Sequence, residues 1–171
     1  MQYISQYNSL LGKIVLASEE NYLTGLWFEN QKYFGSTLGE EYIKKDDLKI
    51  FEIVKKWLDN YFAGKNPSID ELKIKPSGTN FRKIVWQLLC YIPYGEVITY
   101  KELSQKVAKI LNIKSMSSQA IGGAVGHNPI SIIIPCHRVV GTNKKLVGYA
   151  GGLDKKIKLL ELEGNNIYNL K

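Results

Sequence analysis

The chain has 171 residues, 44% of them hydrophobic, and a formal net charge of +7. That length suits one ordinary domain or two small ones, and that hydrophobicity excludes a globally disordered chain. No run of about 18 apolar residues occurs, so no membrane span is expected. The N-terminus has no basic-then-apolar leader, so a cytoplasmic protein is expected. Cys90 and Cys136 are the only cysteines. They fit neither a zinc spacing nor a disulfide framework, which suits a reducing compartment, and the N-terminal half lacks zinc-ligand residues, so no metal is expected.

The charge is unevenly spread. Residues 1–75 carry 10 Lys against 11 acidic residues, net −1, whereas residues 76–171 carry 11 Lys and 2 Arg against 5 acidic residues, net +8. The excess in the second half reads as affinity for a polyanion. A general lysine bias of the proteome would give the same numbers.

In chain order, residues 12–17 and 22–28 read as two strands joined by a polar loop, 18–21. Residues 30–45 are polar and irregular. Asp46 and Asp47 then open an amphipathic helix to about Ala63, with Leu48, Phe51, Val54, Leu58 and Phe62 at helical spacing and Gly64 as its stop. Residues 69–74 are expected as an edge strand. This segment holds no His, no Cys and no glycine-rich phosphate loop. It reads as a small supporting α/β domain, residues 1–75, and Pro76-Ser77-Gly78 as the linker to a second domain, residues 76–171.

Thr79 can cap a helix running through Cys90, with Phe81, Ile84, Val85, Leu88 and Leu89 on its buried face. Cys90 there reads as a packed core thiol. Pro93-Tyr94-Gly95 turns the chain. Thr99-Tyr100-Lys101-Glu102 is a capping-box pattern that starts a helix to about Leu111. After a turn over 112–117, Ser118 opens a second short helix. Ala120, Gly122, Gly123 and Ala124 leave that helix almost without side chains. Glycine inside a helix costs about 1 kcal/mol relative to alanine. The small residues therefore point to a close approach, either of a neighbouring protein helix or of nucleic acid. Two short helices and a turn before a strand pair resemble a winged helix-turn-helix.

Ile130 and residues 132–134 read as a buried strand. Pro135 cannot donate to a sheet ladder and should end it. Cys136 and His137 follow at once. The thiolate is the reactive form of cysteine, and a nearby base raises its population. A structural core cysteine is the alternative; the adjacent histidine and the rigid stop favour a nucleophile. Residues 141–145 read as a turn or wing, 146–149 return beside the site, and 153–162 form a helix closed by Glu163-Gly164.

Three motifs then carry a resemblance. His127-Asn128-Pro129, Pro135-Cys136-His137-Arg138-Val139-Val140 and Tyr149-Ala150-Gly151-Gly152-Leu153, in this order, resemble the O6-alkylguanine-DNA alkyltransferase family over about residues 78–164. The resemblance implies an RNase H-like N-terminal domain and a winged helix-turn-helix-like C-terminal domain carrying the active cysteine. It implies DNA repair by a single, irreversible alkyl transfer from O6-alkylguanine in double-stranded DNA, with O4-alkylthymine a second candidate. A monomer without cofactor is expected. Cys136 would be the acceptor, His137 its base through a water, and Glu163 the carboxylate orienting His137. Asn128 would brace the turn under Cys136, and Tyr100 would lie over the base or donate to its N3. Tyr149, Val139, Ala150 and Gly151 would line the pocket, with Lys156 either pointing into it or solvated. Ser118, Gln119, Ala120, Gly122, Gly123 and Arg138 would contact DNA, the helix from the minor-groove side. The target base must leave the stack, at a cost of a few kcal/mol.

One position departs from the family pattern. An arginine usually enters the recognition helix to fill the space of the extruded base, and Gln119 matches that position. The turn before it is also longer than is common. Two rival readings remain. A non-catalytic damage sensor of the same architecture would lack the cysteine that is present here. A cysteine hydrolase would need an oxyanion hole and an acyl-sized groove.

Overall fold

Strands Gln2–Ser9 (β1), Gly12–Glu19 (β2) and Tyr22–Phe28 (β3) form an antiparallel meander, and Tyr42–Lys44 (β4) adds to β1 in parallel, giving the order β3-β2-β1-β4. This computed structural model describes residues 1–170. The chain divides into two units: Met1–Ser77 with Pro129–Ile133, and Gly78–Asn128 with the chain from Ile134 onward. Among the described residues, no helix is long and apolar enough to cross a membrane.

In the first unit, β2 is buried continuously from Ile14 to Ser18 and β3 from Leu23 to Phe28. Helix α1, Lys49–Phe62, packs across β1, β2 and β3 through Ile50, Phe51, Val54, Trp57, Leu58 and Tyr61. Of the expected apolar positions Phe51, Val54 and Leu58 are buried, whereas Leu48 and Phe62 are half-buried, and Ile50, Trp57 and Tyr61 complete the buried face. The helix starts later than the two aspartates suggest: Leu48 occupies the N-cap, and Asp46 instead accepts from the Ser5 hydroxyl at 2.6 Å. Two further expectations are corrected. Residues 69–74 do not form an edge strand. Ser68 caps a single 3-10 turn, Ile69–Glu71, by accepting from Asp70 N–H, and only Ile74 bridges to Leu23. The region 30–45 is not wholly irregular, because β4 lies within it. Strand β1 gave no sequence signal, since its half-buried polar residues lack an apolar alternation.

The second unit is built on three helices: α2, Asn80–Leu89; α3, Tyr100–Ile110; and α4, Ser118–Gly126. Thr79 caps α2 by accepting from Arg82 N–H at 3.2 Å. The capping box of α3 forms in full: Thr99 Oγ1 accepts from Glu102 N–H at 3.1 Å, and Thr99 N–H donates to Glu102 Oε2 at 2.8 Å. Apolar faces meet at Val85, Trp86 and Leu89 of α2, Leu103 and Val107 of α3, and Ile121, Ala124 and Val125 of α4, all buried. The Trp86 indole N–H donates to the Ala124 carbonyl at 2.8 Å and ties α2 to α4. Strands Ile98–Thr99 (β5) and Val139–Val140 (β6) pair in parallel, and helix α5, Leu153–Leu162, follows a loop containing a 3-10 turn over Thr142–Lys144.

The isoleucine run before the cysteine is buried, as expected, but it is not a strand. Its backbone hydrogen bonds close locally. Ile133 N–H donates to Ser131 O at 2.8 Å across Ile132, whose φ is +70°, and Cys136 N–H donates to Ile134 O at 2.8 Å across Pro135. These are two tight three-residue turns, the first in a geometry that is strained and uncommon for a β-branched residue. Only Ile130 makes a bridge, to Leu26. The consequence is local: Pro135 does not end a ladder but starts a 3-10 turn over Cys136–Arg138.

Candidate active site

Cys136 is the first residue of that 3-10 turn and is 4% exposed. The turn is braced from below. The Asn128 side-chain amide donates to the Ile134 carbonyl at 2.8 Å, where it fixes the bend at Pro135. Burial pushes the thiol pKa above its ordinary value. Hydrogen bonds from the Asn128 and Tyr149 side chains and the charge of Lys156 act in the opposite direction, because each favours the thiolate. The site thus stores the cysteine as a thiol and surrounds it with groups that would stabilise its anion. Cys90, at the end of α2, has only Arg138 acting to lower a thiol pKa that burial raises to about 11.

The second layer is a buried charge cluster. His137 Nε2 lies 2.6 Å from Glu163 Oε2, and both side chains are fully buried. Burial alone would raise the Glu163 pKa; the bonds from His137 and Arg138 outweigh it and bring it to about 2. The carboxylate is therefore ionised and accepts a hydrogen bond from Nε2–H. Burial holds the His137 pKa below 6.5 despite Glu163, so the ring is neutral at pH 7. With its proton on Nε2, a neutral ring keeps its lone pair on Nδ1. That atom is buried and accepts from no group among the described residues.

Arg138 corrects a sequence expectation. It does not reach outward to DNA. Its Nε donates to Glu163 Oε1 at 2.7 Å, its Nη2 to Glu163 Oε2 at 3.1 Å and its Nη1 to the Ile92 carbonyl at 2.6 Å, and the residue is 9% exposed. A guanidinium committed to a carboxylate and a carbonyl has little left for phosphate. Lys156 corrects another. Its solvated alternative fails: the residue is 0% exposed, and its ammonium donates to the carbonyls of Val139 at 2.6 Å, Val147 at 2.9 Å and Gly148 at 3.3 Å. All three of its donors are used, so it ties β6 to the loop ahead of α5. Burial pulls its pKa down to about 8.

Tyr100, the first residue of α3, is half-buried beside the thiol. Burial, and then the charge a thiolate would carry at Cys136, push its pKa up to about 12, so it remains a donor. Val139 is fully buried in β6. Ala150 is half-buried and Gly151 buried in the turn before α5, where Gly152 N–H donates to Tyr149 O at 3.0 Å and Gly152 adopts a φ of +99°. Among the described residues, no group of three or more His, Cys, Asp or Glu side chains could hold a metal ion.

The remaining expected residues lie on α4. Ser117 caps this helix by accepting from Ala120 N–H at 3.3 Å. Ser118, Gln119, Ala120 and Gly123 are exposed and Gly122 is half-exposed, while Ile121, Ala124 and Val125 are buried. A Cβ placed on Gly122, Gly123 or Gly126 would meet nothing within 4 Å. Among the described residues the glycines are therefore not packed against another helix of this chain, which favours the second of the two alternatives for their presence. The turn at residues 92–95 was expected, but its part in holding Arg138 was not. Besides the Ile92 carbonyl, it supplies Tyr94, whose ring lies 5.8 Å beneath the Arg138 guanidinium and whose hydroxyl donates to Leu162 O at 3.1 Å. Its proline and glycine marked a turn, and nothing in them marked its target.

Comparison with known proteins agrees with this architecture. The ribonuclease-like domain of 6-O-methylguanine DNA methyltransferase matches residues 2–76, and the DNA binding domain of the same family matches residues 80–165. The chain is 44% identical to the methylated-DNA–protein-cysteine methyltransferase of Methanosarcina barkeri over 165 residues, covering 96% of this chain and 99% of that protein. It is 40% identical to the Haemophilus influenzae protein of the same name over 161 residues, covering 94% and 86%. The crystal structure of Mycobacterium tuberculosis OGT in complex with DNA superposes with a TM-score of 0.82 at 35% identity, covering 94% of this chain and 92% of that one. On both domains and over nearly its whole length, the chain belongs to the methylated-DNA–protein-cysteine methyltransferase family.

Proposed function

We propose that the protein repairs O6-methylguanine in double-stranded DNA by moving the methyl group to Cys136, once per molecule. The observation that carries this reading is a thiol set in a turn beside a buried His137–Glu163 pair at 2.6 Å. The thiol proton passes to His137 Nδ1 through a water, and Glu163 holds the ring and stabilises the imidazolium. The sulfur then attacks the methyl carbon, a carbon–sulfur bond forms and the carbon–O6 bond breaks. Guanine leaves with the electron pair, and the Tyr100 hydroxyl donates to its N3 as charge develops. The imidazolium proton restores that donor, so no charge is left over. The thioether is stable, because a thiolate is a poor leaving group from an alkyl carbon, and no cofactor enters any step.

DNA is held by the C-terminal domain, residues 76–171, whose net charge of +8 supports contact with phosphates. The open face of α4 supports entry into the minor groove, with extrusion of the base into a pocket formed by Tyr149, Val139, Ala150 and Gly151. Residues 1–75 support this domain and take no part in the chemistry. The protein works as a monomer in the cytoplasm, where thiols remain reduced, and O4-alkylthymine is a second substrate. A duplex carrying methyl-labelled O6-methylguanine tests the reading. Label recovered on protein is the expected result. Label remaining on DNA would make the protein a sensor, and label in solution a hydrolase.

A further inference from the structure

The geometry points to Arg138 as a positioning residue that fixes which nitrogen of His137 acts as base and keeps that base unprotonated. This inference rests on the transfer reading above.

Arginine offers a planar fork that grips both oxygens of one carboxylate, and here Nε takes Oε1 at 2.7 Å and Nη2 takes Oε2 at 3.1 Å. Glu163 sits just after the last turn of α5, where a carboxylate is disfavoured by the helix dipole. The fork answers that cost and also sets the carboxylate plane. Oε2 is then aimed at His137 Nε2, leaving Nδ1 as the only basic position.

The fork is itself held from the opposite side. Nη1 is anchored on Ile92 O at 2.6 Å, and Tyr94 lies under the guanidinium while its hydroxyl bonds Leu162 O. Gly95 completes the turn at a φ of +85°, and a Cβ there would stand 3.2 Å from the Glu163 carbonyl oxygen. The turn at 92–95 therefore grips both Arg138 and the end of α5, so the carboxylate cannot swing.

A carboxylate facing histidine alone would form an imidazolium–carboxylate pair and hold the proton. Sharing Glu163 with a permanent cation weakens that pull. The charged and titratable groups facing His137 are Glu163 and Lys156 from the α5 segment, Arg138 and Cys136 from its own turn, and Tyr149, edge-on at 6.5 Å between ring centroids. Of these, only Glu163 favours a protonated ring; Arg138 and Lys156 oppose it.

Single-turnover transfer from an O6-methylguanine duplex, measured against pH, together with nitrogen-15 spectra of the His137 ring, tests the assignment. Arg138→Met loses both charge and fork. It should slow transfer at every pH, as the loss of the fork does in Arg138→Lys, and in addition raise the pH at which His137 protonates by about one unit, so transfer on the acid limb falls about tenfold further than on the alkaline plateau. Arg138→Lys keeps the charge and loses the fork. It should leave the acid limb in place but slow transfer at every pH, with the ring proton no longer confined to Nε2. Should Arg138→Met fail to fold, Arg138→Lys decides alone: wild-type rate and wild-type ring spectrum would overturn the proposal. An Arg138→Met protein that is less heat-stable yet keeps the wild-type limb and spectrum would also overturn it, since Arg138 would then be structural only. The ring spectra need no DNA. They remain informative if the methyl group proves to go elsewhere than Cys136, which would refute the transfer reading instead.

Discussion

The buried cluster behind Cys136 and the outer face of α4 solve opposite problems. In the cluster, His137, Arg138, Lys156 and Glu163 are at most 9% exposed, and the donors of Arg138 and Lys156 are met by a carboxylate and by backbone carbonyls. Glu163 receives three charge-assisted hydrogen bonds, and Lys156 spends three donors on three carbonyls. On α4, the sequence Ser118-Gln119-Ala120 and the glycines at 122 and 123 remove side chains, and the space outside those glycines is empty. The first region gains function from atoms that cannot move. The second gains it from a surface with nothing in the way. Substitutions should therefore be costly to the fold in the cluster and nearly harmless to it on α4, where the loss should fall on DNA binding.

The largest effect is expected at Glu163. Glu163→Gln leaves the buried Arg138 without its counter-charge, which should cost about 3–5 kcal/mol of stability. Transfer should slow about a hundredfold, the scale of a lost proton-transfer partner, with duplex affinity unchanged. Thermal unfolding and single-turnover kinetics measure the two separately. The same residue sets an acid limit. Its pKa, about 2 in the folded chain against an ordinary 4.5, lies below its unfolded value. Its contribution is therefore complete above pH 4.5 and is lost as the pH falls through about 2, a span worth about 3 kcal/mol. His137, held below 6.5, acts in the same direction from a higher pH. Thermal scans between pH 7 and pH 2 should show this fall, and it should shrink in Glu163→Gln.

Lys156→Met comes next. It would leave the Val139, Val147 and Gly148 carbonyls without their shared donor. A cost of about 2–3 kcal/mol is expected, read as a lower unfolding midpoint, together with slower transfer because the loop over residues 147–150 loses its tie to β6.

On α4 the signs should reverse. Gly123→Ala fills open space in a helix and should stabilise the fold by about 0.5–1 kcal/mol. Gly123→Leu should also fold, yet weaken duplex binding about tenfold, or about 1.4 kcal/mol. If Gly123→Leu unfolds the protein instead, the face is not open and the contrast between the two regions fails. The effect of Gln119→Arg is read in rate alone, not in stability. A longer, charged side chain should hold an extruded base more firmly by about 1–2 kcal/mol. It should speed repair within a duplex and leave reaction with the unpaired O6-alkylguanine base unchanged. Equal acceleration of both substrates would place Gln119 at the pocket rather than in the stack.

The sequence revealed these regions unequally, for physical reasons. The capping box at Thr99, the bare helix after Ser118 and the Cys136-His137 step could be read directly because each is a local pattern. The buried isoleucines before Pro135 could be read as buried but not as turned: four β-branched residues are equally apolar in a strand or in consecutive tight turns, and periodicity cannot separate the two. Arg138 and Lys156 were hardest to place. Long basic side chains usually face water, and only the tertiary fold shows Glu163 and Ile92 converging on the first and three carbonyls on the second.

The central claim is that one of two cysteines is the methyl acceptor, and that its surroundings rather than its exposure select it. Cys90 is more exposed than Cys136, yet its thiol is pushed up to about 11 by burial with only Arg138 opposing, whereas Asn128, Tyr149 and Lys156 all favour a thiolate at Cys136. The most direct test is peptide mass mapping of the intact protein after a single turnover with an O6-methylguanine duplex. One methyl group on the peptide containing Cys136, and none on the peptide containing Cys90, is the predicted result. Methylation of Cys90 alone, or a protein that repairs the duplex with both cysteines unmodified, would contradict it.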